Sequence, residues 1–275
     1  MIIAQIGDTH IDPTRPAAGG RIDTAAALRH CIEQINALDP QPDLVLHTGD
    51  LIERRTPEEY ARFREIAAAL RAPLYAIPGN HDGREAMRAA FTDAPWMPQE
   101  GPFLHYTVED AGPVRIVALD STIPGAGSGE LCPARLDWLA ARLEEAPARP
   151  TVVALHHPPF PTSIPEIDRA GFGGLDRLKA IVGDNPQVER LVCGHVHRAI
   201  QTRFAGTIAA SVPATCFQFA LDMREGAPLS YMIEPPAFAL HVWTAHGLAS
   251  HLVPIGGWEG PIPFLKDGAR LTSAG

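Results

Sequence analysis

The spacing of apolar residues predicts a run of short strands alternating with amphipathic helices. Short apolar runs rich in branched side chains are typical of buried strands. In the first two-thirds of the chain they predict strands at 2–6, 43–47, 73–77, 114–119, 151–155 and 190–193. Because helical patterns separate these runs, the chain is expected to adopt an α/β fold.

Apolar residues spaced three or four apart predict the helices between the strands. The stripes are Leu28, Cys31, Ile35 and Leu38; Leu136, Leu139 and Leu143; and Leu175, Leu178 and Ile181. A further helix is predicted to begin at Thr56, where Pro57 and Glu59 complete a capping-box pattern.

Beyond residue 197 the helical period disappears, and turn residues separate short runs that predict strands at 207–211, 217–221, 229–233, 238–244 and 248–253. We therefore expect a catalytic α/β domain over 1–200 and a β-rich segment over 201–275. The second segment is expected to complete the sheet and to cap the site or mediate dimerisation, because its apolar faces must be buried somewhere. A proline-rich stretch at 158–174 predicts a functional loop.

Composition narrows the classes of protein that fit. Among 275 residues, 23 Lys and Arg against 32 Asp and Glu give a net charge of −9. That charge disfavours a nucleic-acid substrate, because binding a polyanion depends on basic residues. Four widely spaced cysteines and no CxxC pair indicate reduced thiols. No apolar run is long enough to span a bilayer, and the first residues lack a signal-peptide pattern, so a cytoplasmic protein is expected.

Polar clusters follow five of the predicted strands. They are Asp8-Thr9-His10, Asp50, Asn80-His81-Asp82, His156-His157 and His195-Val196-His197. In open α/β sheets ligands bind beyond the carboxyl ends of the strands, so we expect these side chains to converge.

The chemistry of these clusters indicates a metal site. Carboxylate, amide and imidazole donors suit Mn, Fe, Co or Zn. If Asp8 and His10 lie on an extended segment, both side chains leave one face and can bind one ion, and His195 and His197 repeat that spacing. The candidate ligands are Asp8, His10, Asp50, Asn80, His156, His195 and His197. This set is too large for one ion but fits two sharing a carboxylate, and two ions about 3.5–4 Å apart can act on a phosphoryl group.

In this order, the motifs resemble those of the calcineurin-like metallophosphoesterase superfamily, and most closely its bacterial branch of class III cyclic nucleotide phosphodiesterases and glycerophosphodiesterases. The resemblance spans residues 8–197. It implies a layered β-sandwich flanked by helices, with the β-rich C-terminal segment as a cap or dimerisation element.

The resemblance also implies a role for each residue. The first of two divalent ions is bound by Asp8, His10 and His197, and the second by Asn80, His156 and His195. Asp50 bridges them, a metal-bound hydroxide is the nucleophile, and His81 contacts the phosphate or protonates the leaving oxygen. The expected catalytic residues are therefore His81, Asn80 and Asp50.

Several neighbouring residues receive supporting roles. His157 and Asp82 are expected to orient ligands by hydrogen bonds, and His47 to lie in the core or beside the ligands. Arg169, in the proline-rich loop, is a candidate substrate contact, although an exposed arginine with no ligand role fits its position better.

The leading hypothesis is a binuclear metal-dependent phosphodiesterase that acts on small diesters such as glycerophosphodiesters or cyclic nucleotides. A homo-oligomer is expected, with neither nucleic acid nor membrane as partner. A phosphomonoesterase or a nuclease could be built on the same metal core. A non-catalytic scaffold with the same fold is the alternative of another class.

Overall fold

Each apolar run that predicts a strand before residue 197 forms one in the structure, a computed structural model that describes residues 1–263, 265–266 and 269–270. The strands are β1 (Ile2–Ile6), β2 (Leu44–His47), β3 (Leu74–Ala76), β4 (Tyr106–Val108), β5 (Arg115–Ala118), β6 (Gly129–Glu130), β7 (Thr151–Ala154), β8 (Phe172–Gly173), β9 (Val188–Cys193), β10 (Ile200–Phe204), β11 (Thr207–Ser211), β12 (Gln218–Phe219), β13 (Tyr231–Met232), β14 (Ala237–Thr244), β15 (Gly247–Pro254), β16 (Leu265–Lys266) and β17 (Ala269–Arg270).

The four predicted helices form where the three apolar stripes and the capping-box pattern place them. The helices are α1 (Ala17–Gly20), α2 (Thr24–Asn36), α3 (Pro57–Ala67), α4 (Arg84–Ala90), α5 (Pro133–Glu144), α6 (Pro165–Asp168) and α7 (Leu175–Gly183). At the start of α3, the Thr56 hydroxyl accepts a hydrogen bond from the Glu59 backbone N–H, and the Glu59 carboxylate accepts one from the Thr56 N–H. This confirms the predicted capping box. Leu38 lies just beyond the end of α2.

Two β-sheets lie face to face. One has the strand order β15-β14-β1-β2-β3, with β1, β2 and β3 parallel. The other has the order β10-β11-β9-β7-β5-β4, with β5, β7, β9 and β11 parallel. The space between them is filled by Ile3 and Leu46 from the first sheet and Ile116, Val152 and Val192 from the second.

Helices cover the outer face of each sheet. Leu28 of α2 and Phe63 of α3 belong to one apolar cluster over the first sheet, and Leu139 of α5 and Leu178 of α7 belong to another over the second. The expected α/β architecture, a layered sandwich of sheets flanked by helices, is confirmed. No helix among the described residues is both long and apolar enough to cross a bilayer.

The C-terminal residues contribute strands to both sheets. Strand β14 pairs antiparallel with β1, and β11 pairs parallel with β9. The predicted runs 217–221 and 229–233 form only the two-residue strands β12 and β13. The division at residue 200, and a capping or dimerising role for 201–275, stay predictions, and the last part of that segment lies outside the described residues.

Candidate metal centre

The predicted ligands converge where the parallel strands of both sheets end. Asp8 follows β1, Asp50 follows β2 and Asn80 follows β3 in the first sheet. From the second sheet, His156 follows β7, and His195 with His197 follow β9. The fold therefore brings together the whole set that the sequence singled out, at the edge where ligands bind in open α/β sheets.

One group of donors contains Asp8, His10 and His197. All three are buried, and their ligand atoms lie within 4.8 Å of one another. The Nε2 atoms of His10 and His197 are 3.1 Å apart, and Nε2 of His197 is 3.6 Å from a carboxylate oxygen of Asp8. The backbone N–H of His195 donates to both oxygens of Asp8, at 2.9 and 3.1 Å, and so holds that carboxylate in place.

A second group adjoins the first through Asp50. Its Oδ2 lies 3.3 Å from Nε2 of His156 and 3.7 Å from Nε2 of His10, so the carboxylate stands between the two groups. Nε2 of His156 is 3.1 Å from the Asn80 side-chain oxygen. The His195 ring lies 5.1 Å from the His156 ring, centroid to centroid.

Hydrogen bonds at the outer ring nitrogens fix how the imidazoles face the centre. Nδ1 of His156 donates to the Thr48 carbonyl at 2.7 Å, and Nδ1 of His197 donates to the Phe217 carbonyl at 2.9 Å. A carbonyl oxygen can only accept, so each neutral ring carries its proton on Nδ1 and turns the lone pair of Nε2 inward.

His10 is oriented towards the centre in the same way. Nδ1 of His10 lies 2.7 Å from a Glu53 carboxylate oxygen, so its Nε2 also turns a lone pair inward, towards that of His197. Two facing lone pairs repel each other unless a proton or a metal ion lies between them. The donor set therefore fits divalent metal ions, bound by histidines that donate their other N–H to fixed acceptors.

Five of the predicted ligands occupy the left-handed region of backbone space. They are Asp8 (φ 55°), His10 (φ 44°), Asp50 (φ 55°), His195 (φ 71°) and His197 (φ 47°). Residues other than glycine rarely adopt this region, and each instance costs on the order of 1–3 kcal/mol. The expected extended geometry of the Asp8–His10 and His195–His197 pairs is therefore wrong, since the backbone turns between the two ligands.

Two glycines allow the loops to approach one another. A Cβ on Gly79 would overlap the Asp50 carboxylate, and a Cβ on Gly49, whose φ is +97°, would overlap the His156 ring. Glycine is thus required at both positions by close contact with a predicted ligand.

Burial and mutual charge set the protonation of the centre. Burial raises the pKa of Asp8 to about 7, although the neighbouring His156 opposes the shift. Burial also acts to raise the pKa of Asp50, but His156, His10 and His81 hold it well below its usual range. Burial lowers the pKa of His156, yet Asp50 and Asp8 raise it overall to about 9. The Asp50–His156 pair is therefore ionised in the absence of metal.

His81 lies beside the centre and is held through its backbone N–H and one ring nitrogen. Its backbone N–H donates to Asp50 at 2.8 Å, and its Nδ1 donates to the Glu53 carbonyl at 2.9 Å. The side chain is 34% exposed and lines a cavity of about 390 Å³. Its Nε2 can thus reach a ligand in that cavity.

The residues expected to orient ligands connect the loops that carry them. Asp82 accepts hydrogen bonds from the backbone N–H groups of Gly79 (2.9 Å) and Leu51 (3.2 Å). His47 accepts from the Gly49 N–H at 3.2 Å, and its other nitrogen contacts the Thr9 hydroxyl at 3.1 Å. These bonds fix Asp50 relative to Asn80 and Asp8.

His157 lies beside the candidate ligands, whereas Arg169 lies on the surface. His157 is buried, with its ring nitrogen Nδ1 2.9 Å from the Ser121 hydroxyl, and its ring lies 4.7 Å from that of His195. Arg169 is 60% exposed and pairs with Glu166 on the surface. Arg169 is therefore an exposed surface residue, which is the position that the sequence analysis favoured.

Sequence reasoning missed Glu53. Its carboxylate contacts Nδ1 of His10, and it also lies 3.5 Å from Nδ1 of His81. Glu53 does not directly follow a strand, so the rule that found the other residues passes over it. Its place in the same loop as Asp50, three positions later, is the only signal that the sequence offers.

Comparisons with known proteins agree with this geometry. The profile of the family described as calcineurin-like phosphoesterase matches residues 1–199. A probable glycerophosphodiester phosphodiesterase of Arcobacter nitrofigilis is 39% identical over 273 residues, which cover 98% of this chain and 99% of that protein. The 3′,5′-cyclic adenosine monophosphate phosphodiesterase of Escherichia coli K12 is 33% identical over 217 residues, covering 79% of this chain and 77% of that protein.

A solved structure shares the fold. A dimetal phosphatase from Danio rerio superimposes with a TM-score of 0.65 at 15% identity, covering 93% of this chain and 99% of that one. At this identity the likeness concerns the fold alone.

Proposed function

The chain belongs to the calcineurin-like phosphoesterase family, and from this premise we propose that it is a metal-dependent phosphodiesterase that hydrolyses small phosphodiesters at the centre described above. The observation that carries the proposal is the convergence of three imidazole Nε2 atoms and two buried carboxylates beside His81. A cluster of donors of this kind can bind divalent cations, and bound cations can in turn bind an anionic diester.

Each predicted ligand has a place in this proposal. Asp8, His10 and His197 would hold one divalent ion, Asn80, His156 and His195 would hold the other, and Asp50 would be shared between them. When bound, the ions would offset phosphoryl charge and lower the pKa of water at the site. Mn, Fe, Co and Zn all suit these donors.

His81 would protonate the departing alcohol. Its Nδ1–H is held by the Glu53 carbonyl, so Nε2 is the atom that faces a ligand. The Glu53 carboxylate lies 3.5 Å from Nδ1 and adds to the contacts that hold the ring in this orientation.

Among small diesters, glycerophosphodiesters are the better-supported substrate. The relative named for them matches nearly the whole of both chains, including residues after the family match ends, whereas the relative named for cyclic adenosine monophosphate matches 79% of this chain. The higher sequence identity, 39% against 33%, therefore favours the first assignment.

The test begins with protein stripped of metal and reloaded with Mn or Co. Hydrolysis of glycerophosphodiesters, cyclic nucleotides, synthetic monoesters and single-stranded DNA is then compared with that by Asp50→Ala. We expect the wild type to hydrolyse diesters. Asp50→Ala should do so at least about a thousandfold more slowly, since both ions lose a shared ligand. Activity confined to monoesters would favour the phosphomonoesterase alternative, and activity equal to that of the variant would contradict an enzyme.

We also propose that the protein works in the cytoplasm. All four cysteines are free thiols, and Cys31, Cys193 and Cys216 are buried. Unpaired cysteines are typical of a reducing compartment. Fractionation of the native host tests this assignment. Phosphodiesterase activity of this protein found mainly outside the soluble cytoplasmic fraction would contradict it.

A homo-oligomer is the remaining part of the proposal. Four apolar side chains on and around the β12–β13 hairpin, here termed the hairpin patch, are strongly exposed: Met223 (61%), Leu229 (48%), Met232 (47%) and Ile233 (62%). Clusters of exposed apolar side chains are typical of interfaces, and a second copy of the chain would bury the hairpin patch.

Ile233→Arg places a charge in the hairpin patch and is expected to yield monomers. Sedimentation velocity of wild type, Ile233→Arg and the control Leu252→Arg, which alters a 51% exposed residue of β15, measures the effect. Wild-type monomers at micromolar concentration would contradict the oligomer.

A further inference from the structure

A cavity separate from the metal centre, here termed the arginine cleft, lies at the other end of strand β9. It holds about 600 Å³ and is lined by residues of β9, β10, β11 and the β14–β15 turn, among them Arg190, Arg203, Ile208 and His246. Arg190 lies near the start of β9, whereas His195 follows its end, so extended chain on the order of 15 Å long separates them. Of the residues that the structure describes, those lining this cleft include none of the predicted metal ligands.

The strand register places two arginines on one face of the second sheet. Arg203 of β10 lies opposite Ile208 of β11, and Ile208 lies opposite Arg190 of β9. Paired residues share a face of the sheet, and neighbouring strands are about 4.8 Å apart. The Cα atoms of the two arginines are therefore about 10 Å apart. An anion above Ile208 would lie between them.

This face of the sheet is only partly covered. Val192, two positions after Arg190, packs between the sheets, so Arg190 also faces the first sheet. The edge strand of the first sheet, β15, packs over β9. Beyond it, Ile208 is 39% exposed and Arg203 is exposed, with no side-chain partner among the described residues. The cleft is therefore open to a ligand from solvent.

Arg190 carries a buried charge that no carboxylate pairs with. The residue is 8% exposed, and its guanidinium donates to the Ser250 hydroxyl and to the Leu248 carbonyl, both of them uncharged. Among the described residues, its Nε has no hydrogen-bond partner and no acidic side chain forms an ion pair with it. Burial lowers the pKa of Arg190, while Glu189 opposes the shift. A buried charge without a counter-ion is costly, so it indicates an anion that binds beside it.

The arginine cleft is positively charged in a chain whose net charge is −9. Arg190 and Arg203 bring two positive charges, and Glu189 is the single acidic residue among the described residues that line the cleft. The Glu189 carboxylate lies next to the turn at Gly247, where an added Cβ would be 3.1 Å from Oε2. His246 adds a further hydrogen-bonding group to the wall.

We propose that the arginine cleft is a second binding site, which takes the phosphate group of a small phosphorylated molecule between Arg190 and Arg203. A phosphate dianion matches two positive charges, and arginine binds phosphate oxygens through its paired N–H donors. The volume of the cleft and the exposed Ile208 leave room for the organic part of the molecule. The inference does not depend on the proposed function, because the cleft contains none of the groups that would act on a diester.

Inorganic phosphate tests the site, with Arg203→Gln as the variant that removes one of the two cations. In calorimetric titration of the Mn-loaded protein, the wild type is expected to bind one phosphate per chain more than Arg203→Gln does, with a Kd of about 1 mM or lower. Arg29→Gln alters an exposed arginine on α2 and should bind as many phosphates as the wild type. Equal numbers of bound phosphates in the wild type and Arg203→Gln would overturn the inference.

Ile208→Glu and Ile208→Gln separate charge from shape. The two new side chains are of similar size, but only the first places a negative charge between the arginines. Ile208→Glu should weaken binding of phosphate to the cleft at least about tenfold, whereas Ile208→Gln should stay within about threefold of the wild type. Equal effects of the two substitutions would contradict a site that depends on charge.

Glu189→Gln should strengthen binding, because it removes the acidic residue of the cleft. We expect the Kd for phosphate to fall about threefold, and acetate, with one negative charge, to bind the wild type at least about tenfold more weakly than phosphate. Weaker phosphate binding in Glu189→Gln, or equal affinities for the two anions, would overturn the inference. Diester hydrolysis and metal content should match the wild type in Arg203→Gln and Ile208→Glu; if both fall together with phosphate binding, a general effect on the fold replaces the inferred site.

Discussion

At the residue scale, the centre combines backbone strain with fixed ring orientation. Five predicted ligands hold positive φ angles, and the outer nitrogens of His10, His156 and His197 contact defined acceptors. Strain of this kind persists only where the surroundings fix the backbone, and here hydrogen bonds between loops do so. These bonds fix the candidate ligands relative to one another, which reduces the reorganisation that metal binding requires.

Glu53→Gln is predicted to weaken the first metal site. The amide cannot supply the negative charge that polarises His10, so affinity for Mn should fall about 10- to 100-fold. Calorimetric titration of the metal-free protein measures this, with Glu58→Gln, an exposed position on α3, as the control. Equal affinities in the two variants would show that Glu53 has no such role.

At the element scale, the first turn of helix α3 makes hydrogen bonds to the loops that surround the metal centre. The helix begins directly after the loop that carries Asp50 and Glu53, and the Glu59 carboxylate accepts from the Arg54 backbone N–H at 2.9 Å. Tyr60, also on α3, donates to Asp82 at 3.0 Å. Burial raises the pKa of Asp82 to about 6, and the neighbouring Asp50 adds to the shift. The first turn of α3 thus supports the loops around the metal centre.

Thr56→Ala is predicted to destabilise the protein by about 1 kcal/mol, because the helix loses its capping hydroxyl. Urea unfolding of the metal-free protein measures the free energy. Thr56→Ser keeps the hydroxyl and should lose less than half as much. If both substitutions cost the same, packing of the threonine methyl group and not the cap would explain the loss.

At the scale of the whole molecule, a chain of hydrogen-bonded polar side chains that includes the buried His241 and Gln5 connects the two sheets. His241 on β14 contacts Ser250 through Nδ1 (2.6 Å) and Gln5 through Nε2 (3.0 Å). Gln5 in turn donates to the Cys193 carbonyl at 2.9 Å. Burial lowers the pKa of His241 to about 3, and the nearby Arg190 adds to this effect.

His241 is predicted to contribute to acid sensitivity. Its pKa in the folded protein, about 3, lies below the value of about 6.5 in an unfolded chain. Between these values the unfolded chain binds a proton that the folded protein does not. The stabilisation is therefore complete above about pH 6.5 and is lost as the pH falls towards 3, by about 3 kcal/mol at pH 4.5.

His241→Gln should lower this dependence while reducing stability at neutral pH through poorer packing. Free energies of unfolding of the metal-free protein at pH 7.5 and 4.5 provide the measurement, and the exposed His246→Gln should behave as wild type. An unchanged difference between the two pH values in His241→Gln would contradict the assignment.

The sequence by itself determined six parallel strands, four helices and the identity of the converging side chains. Apolar runs and stripes record which faces become buried, and strand ends mark where parallel strands present their ligands, as Asp8, Asp50 and His156 show. The capping box at Thr56 was readable because its bonds are local.

Only the tertiary structure decided what depends on contacts between distant segments. The left-handed turns at Asp8 and His10 leave no periodic pattern, so the sequence suggested an extended geometry. Glu53 gains its role from the position of His10, 43 residues away, and the Phe217 carbonyl orients the His197 ring across 20 residues. Such features arise from packing in three dimensions, which a one-dimensional pattern does not encode.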